Sequence, residues 1–185
     1  MQLKELLQKI GSAHDSLKQQ QPDEKKEELC LSFITFSISG KIYAIDINNA
    51  NEIIKIDKIS LVPNAPQYIS GVTNLRGDII PILDLKEKFI YIQNSGGSSE
   101  KTGTKSGPRK SIKGKIAIVV KSQETSFGLL IDEILKTVSV PVSKISLNPV
   151  LINTLGSEYI SGLVKRGEND QELLMILNID RLAEG

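Results

Sequence analysis

The tetrapeptide Tyr68-Ile69-Ser70-Gly71 returns as Tyr159-Ile160-Ser161-Gly162, an offset of 91 residues (159 − 68). Each copy leads to an Arg-Gly pair, Arg76-Gly77 and Arg166-Gly167, and then to an apolar strand, Ile79 to Leu85 and Leu173 to Ile179. Repetition on this scale argues for a diverged internal duplication. Within 185 residues it restricts the chain to two small, similar units. Neither would bury much core alone, so their contact is expected to be apolar and permanent, with a groove between them as the natural seat for a ligand segment.

The period of the apolar residues says which units these are. Ile34, Phe36 and Ile38 alternate along one strand, Ser39-Gly40-Lys41 turns the chain, and Tyr43, Ile45 and Ile47 continue on a second strand. Asn64-Ala65-Pro66 and Leu75-Arg76-Gly77-Asp78 supply further turns, and Ile79 to Leu83 reads as a strand whose Pro81 belongs at an edge or bulge. Ile116 to Val120 and Phe127 to Ile131 flank a polar turn and form a second hairpin. A hairpin, a connection, a YISG turn and a further strand are about what a small five-stranded barrel requires. The expected fold is therefore all-β, with two five-stranded barrels side by side in residues 30–185, from sequence halves of about 30–92 and 114–185. Residues 93–113, rich in Ser, Gly, Lys and Thr, read as a flexible loop.

Residues 1–29 differ in character. Leu3, Leu6, Leu7, Ile10 and Leu17 fall at helical spacing, predicting a short amphipathic helix before a polar linker from Lys18 to Glu28. Lys, Glu or Gln breaks the first ten residues into apolar runs no longer than Leu6-Leu7, which is unlike a signal peptide, and no later run approaches a membrane span. A cytoplasmic protein without direct membrane insertion is expected, reaching a membrane only through partners.

Composition narrows the chemistry. Lys and Arg number 23 against 22 Asp and Glu, which leaves no basic excess for a row of phosphates, so nucleic acid is not an expected partner. One His and one Cys cannot assemble a Cys/His zinc site or an internal disulfide, so no such metal site is expected. Cys30 reads as a small apolar residue, and His14 lies in the polar N-terminal segment. The Gly-rich stretch from Gly97 fails the phosphate-loop pattern, because Thr102 stands where the second Gly belongs and Thr104 follows Gly103. Asp84 and Asp132 each follow an apolar strand and form the one conceivable acid pair of a hydrolase. Asp84 is followed by Leu85-Lys86, not by the Thr-Gly or Ser-Gly of an aspartic protease, and the simpler reading is that each Asp accepts backbone hydrogen bonds at its strand end.

Two longer runs carry a resemblance. Phe36-x-Ile38, Tyr43-Ala44-Ile45-Asp46-Ile47, Glu52-Ile53, Val62-Pro63-Asn64-Ala65-Pro66 and Ile69-x-Gly71-Val72-x-Asn74-Leu75-Arg76-Gly77-x-Ile79-Ile80-Pro81-Ile82-x-Asp84-Leu85 form one. Ile118-Val119-Val120, Phe127 to Asp132, Tyr159-Ile160-x-Gly162 and Ile176 to Ile179 form the other. From about Leu31 to Leu182 the chain resembles the CheW-like chemotaxis coupling proteins. The resemblance implies two SH3-like barrels and a non-enzymatic adaptor, without cofactor, joining methyl-accepting chemotaxis receptors to the histidine kinase CheA. In that family the inter-barrel groove takes the receptor's hairpin tip, barrel ends pair with the kinase regulatory domain, and strands cross between barrels.

Carried over by position, the receptor-binding candidates are Asn74, Arg76, Ile116, Phe127 and Gly128, and the kinase-binding candidates are Ala50, Glu52 and Gly71. Structural roles are open for several. Arg76 could hold Glu52 in a bidentate pair, Ile116, Phe127 and Gly128 could be barrel core, and Gly71 could be a turn glycine. A related adaptor serving a receptor-kinase pathway for surface motility or development remains the alternative, with loop 93–113 or the N-terminal helix adapted to another partner.

Overall fold

The computed structural model describes residues 28–95, 112, 114–123, 125–147, 157–167 and 172–184. The predicted N-terminal helix, His14 and the Gly97–Thr104 stretch lie outside these residues.

Ten strands form: β1 (Cys30–Ile38), β2 (Lys41–Asp46), β3 (Ala50–Lys55), β4 (Ile69–Leu75), β5 (Asp78–Asp84), β6 (Ile116–Lys121), β7 (Ser126–Ile131), β8 (Glu133–Pro141), β9 (Ile160–Arg166) and β10 (Glu172–Leu177). Two helices join them, α1 (Leu85–Ser95) and α2 (Ile179–Ala183). One sheet runs in the order β8-β1-β2-β10-β9, the other β3-β6-β7-β5-β4. Replacing each strand by its counterpart five places along the chain turns one order into the other. The duplication is therefore real in three dimensions, and it is reciprocal: each sheet takes two strands from one half and three from the other. The chain passes from the first sheet to the second through a 3-10 turn at Ile47–Asn49 and back at Asp132. Ile47 thus ends the hairpin as an exposed turn residue and not, as the alternation predicts, as a strand residue.

Each sheet curls until its ends meet. A bridge between Ser60 and Val72 closes the second barrel on β4, and its counterpart between Ser146 and Leu163 closes the first on β9. In each YISG segment the tyrosine ends a turn, which at Tyr159 is a 3-10 turn, and Ile-Ser-Gly opens the strand, β4 or β9. Gly71 likewise sits in a bulge of β4 at φ 148°, with a built Cβ 2.6 Å from the Ser60 carbonyl oxygen, so the closing segment can approach only a glycine. Pro81 is tolerated in β5 because pairing with β7 begins at Ile82, leaving the Pro81 end of the strand with β4 alone.

Three apolar clusters result. Phe33, Ala44, Val140, Ile145, Val164, Leu174 and Ile176 fill the first barrel, and Ile56, Ile82, Ile112, Ala117 and Leu130 the second. The largest lies between the barrels and draws Phe36, Ile38, Tyr43 and Ile45 from one sheet and Leu83, Ile118, Val120, Phe127 and Leu129 from the other. Alternation explains the division, since successive residues of β2 and β7 face barrel interior and seam in turn. Each fully buried large side chain contributes on the order of 1.5–3 kcal/mol, so the seam outweighs either small core and the barrels form one body. Six of the eight Phe and Tyr residues (Phe36, Tyr43, Tyr68, Phe89, Phe127, Tyr159) belong to or pack against this seam.

Two elements depart from the sequence reading. The run predicted as strand to Leu85 ends at Asp84, and Leu85 starts α1, which includes Gln93–Ser95 of the expected loop. The opposite end of that loop is also folded, because Ile112 is buried in the second barrel. The second apolar run ends in the same manner: β10 stops at Leu177 and Ile179 starts α2. Cys30 is exposed at the start of β1, because the strand's first residues overhang the core.

Candidate functional site

The Leu75-Arg76-Gly77-Asp78 sequence makes a two-residue hairpin in which Leu75 pairs with Asp78. Both central residues take positive φ, 56° at Arg76 and 103° at Gly77. That geometry matches the twist of the flanking strands and suits glycine; at Arg76 it costs on the order of 1 kcal/mol. The Asn74 side chain organises the turn by accepting from the Gly77 N–H at 3.1 Å. Arg76 then projects from a fixed tip, with its side chain 80% exposed, and donates from Nη2 to Glu52 Oε2 at 3.0 Å. Glu52 lies on β3 and Arg76 beyond β4, the opposite ends of one sheet, so the contact also spans the barrel closure. Asn74, Arg76 and Glu52 thus come together. The pair has one contact and not two, which leaves guanidinium donors facing solvent.

The other candidates divide by face. Ala50 is half-buried, pairs with Val120 and packs on the seam. Gly71 is buried at the barrel closure. Ile116 is half-buried at the rim of an open depression shared with Gly114, Lys115, Ile131 and Asp132. Phe127 is 4% exposed and inside the seam, and Gly128 faces the second barrel's interior, where a Cβ would stand 2.4 Å from Ile82 Cδ1. Those last two residues shape the wall from within and do not present side chains to solvent.

Beside the depression a polar contact joins the barrels. Lys86 Nζ donates to both oxygens of Asp132, at 2.8 and 3.0 Å, and the Ser39 N–H donates to Asp132 Oδ2 at 2.7 Å. Lys86 and the Ser39 amide hold the Asp132 carboxyl below the usual aspartate range. Asp84 instead accepts from the Lys86 N–H at 2.9 Å and caps α1. Both carboxylates are engaged by strand-end and helix-start donors, the simpler of the two sequence readings, and the acid-pair reading has no free pair to build on. Sequence reasoning passed over Asp46, the counterpart of Asp132. It too marks a crossover, accepting from the Asn48 N–H at 2.9 Å; the signal was the Ile-Asp pair that ends β2 as Ile45-Asp46 and runs just past β7 as Ile131-Asp132.

Among the described residues, no helix is long and apolar enough to cross a membrane. Residues 32–185 match the CheW-like domain. The chain is 29% identical to the chemotaxis protein CheW of Treponema pallidum over 149 residues, 80% of this chain and 79% of that one. It is 31% identical to the chemotaxis protein CheW of Klebsiella aerogenes over 150 residues, 81% of this chain and 80% of that one. Its fold is similar to the crystal structure of the scaffolding protein TtCheW from Thermoanaerobacter tengcongensis, with a TM-score of 0.62, 25% identity, and coverage of 81% of this chain and 90% of that one. With the paired five-stranded barrels and the Asn74–Gly77 hairpin in place, these similarities show that the chain belongs to the CheW-like family.

Proposed function

We propose that the protein is a chemotaxis adaptor that couples methyl-accepting chemotaxis receptors to the histidine kinase CheA in cytoplasmic signalling arrays, by non-covalent binding and without catalysis or cofactor. One observation carries the reading: an exposed Arg76 is held on an unfavourable backbone geometry at the tip of the family's most specific motif and is steered by Glu52. A side chain carried on a strained backbone, with one weak ion pair and 80% exposure, suits recognition better than stability. Asn74, Arg76 and Ile116, with Phe127 and Gly128 shaping the wall behind them, form the proposed receptor side. Ala50, Glu52 and the buried Gly71 form the proposed kinase side, which adjoins the receptor side at the Arg76–Glu52 pair. Several modest contacts, repeated through an array, supply the avidity that each lacks. Binding of the folded chain to receptor cytoplasmic tips and to the kinase regulatory domain in a pull-down is the expected result, and failure to bind either refutes the reading.

A further inference from the structure

Lys88 lies in α1 with 1% of its surface exposed, the one Lys, Arg, Asp or Glu among the described residues that is buried. Its ammonium group sits 4.7 Å from the ring centre of Tyr68 and 4.9 Å from that of Tyr159. These are the first residues of the two repeated tetrapeptides, one leading into each barrel. Nζ also donates to the Leu182 carbonyl of α2 at 3.1 Å. Three N–H groups thus meet three acceptors: two aromatic faces and one carbonyl. The symmetry extends to the backbone. The Asp84 N–H bonds Tyr68 O at 2.8 Å and the Asn178 N–H bonds Tyr159 O at 2.7 Å, so each tyrosine is tied to the start of one helix.

We propose that Lys88 is the pin that fixes the two barrels in one relative orientation. Both tyrosines belong to the apolar cluster between the barrels and to neither barrel interior. Hydrophobic attraction across the seam is non-directional and close packing holds the barrels together; a hydrogen-bonded cation adds a directional requirement to that packing. A cation that must satisfy one ring from each repeat and one carbonyl has a single position. Burial pushes the Lys88 pKa down, opposed by Glu158, so the group occupies a site where water contributes little and misplacement is costly.

The test separates orientation from stability. In a Cys30→Ser background, spin labels at Lys165→Cys and Lys58→Cys, both exposed and one on each barrel, report the inter-barrel distance distribution. The expected result is one narrow peak that broadens or splits in Lys88→Met and stays narrow in Lys86→Ala, which removes the exposed Asp132 contact. An apolar isostere of a buried charge often leaves stability unchanged or raised, so the melting temperature of Lys88→Met is expected to hold. An unchanged narrow peak in Lys88→Met would overturn the proposal whatever the melting temperature, as would broadening in Lys86→Ala alone. Should Lys88→Met not fold, NMR of the unmutated chain decides: Lys88 side-chain protons shifted upfield by the two rings support the pin, and unshifted protons refute it.

Discussion

Arg76 Nη2 and Glu52 Oε2 meet at 3.0 Å across the closure of the second barrel, with the arginine 80% exposed and the glutamate 22% exposed. Exposed pairs of this kind contribute about 0–1 kcal/mol, whereas an exposed guanidinium with free donors is well placed to bind a partner. Arg76→Glu is therefore expected to weaken receptor coupling strongly while shifting thermal unfolding little. Loss of folding in this variant would make the pairing with Glu52 its main role.

Gly71 and Gly128 are expected to be intolerant for different reasons. At Gly71 an added methyl meets the Ser60 carbonyl and the φ of 148° resists an L side chain; at Gly128 it meets only the flexible end of Ile82. Gly128→Ala should cost about 1–3 kcal/mol by overpacking. Gly71→Ala should cost more, because backbone cannot give way. Urea midpoints of the two variants check the order.

Asp84 and Asn178 occupy equivalent positions, capping α1 through the Lys86 N–H at 2.9 Å and α2 through the Arg181 N–H at 3.1 Å. Replacing either with Ala should destabilise by about 0.5–2 kcal/mol. Denaturant titrations of the two single variants measure this, and each loss should appear without change in the slope.

Asp132 gives a pH signature. Lys86 and the Ser39 amide depress its pKa below the ordinary aspartate value of 3.8. The stabilisation it supplies is therefore fully present above that value and is lost as pH falls through the lower folded-state pKa. Because Lys86 and Asp132 are 37% and 41% exposed, solvent screening keeps the contribution to about 0.2–1 kcal/mol. Asp132→Asn should remove it, so the stability difference between the two proteins should shrink in acid. A gap that is constant from neutral pH to acid would contradict this.

The sequence alone determined the hairpins, the duplication and the placing of Arg76 in a turn, because these depend on near neighbours. Period-2 alternation reads out β1, β2, β6 and β7, and Ser-Gly and Arg-Gly at turn positions need no tertiary context. Helix α1 was hidden for a physical reason. Its buried face is Leu85, Lys88 and Phe89, at helical spacing, but a lysine in an apolar position makes the run look like the polar end of a strand. Strand β8 was hidden because its burial pattern is mostly exposed, as befits an end strand paired only with β1.

Only the tertiary structure decided which strands share a barrel, since that exchange depends on where the chain crosses at Ile47–Asn49 and Asp132. It also decided that Phe127 and Gly128 lie inside while Arg76 lies outside, for alternation states that a face is buried but not against what. Lys88 belongs to the same class of fact. Its charge is tolerable in the interior only because Tyr68 and Tyr159, 91 residues apart (159 − 68) in the sequence, come to lie close enough to accept it together.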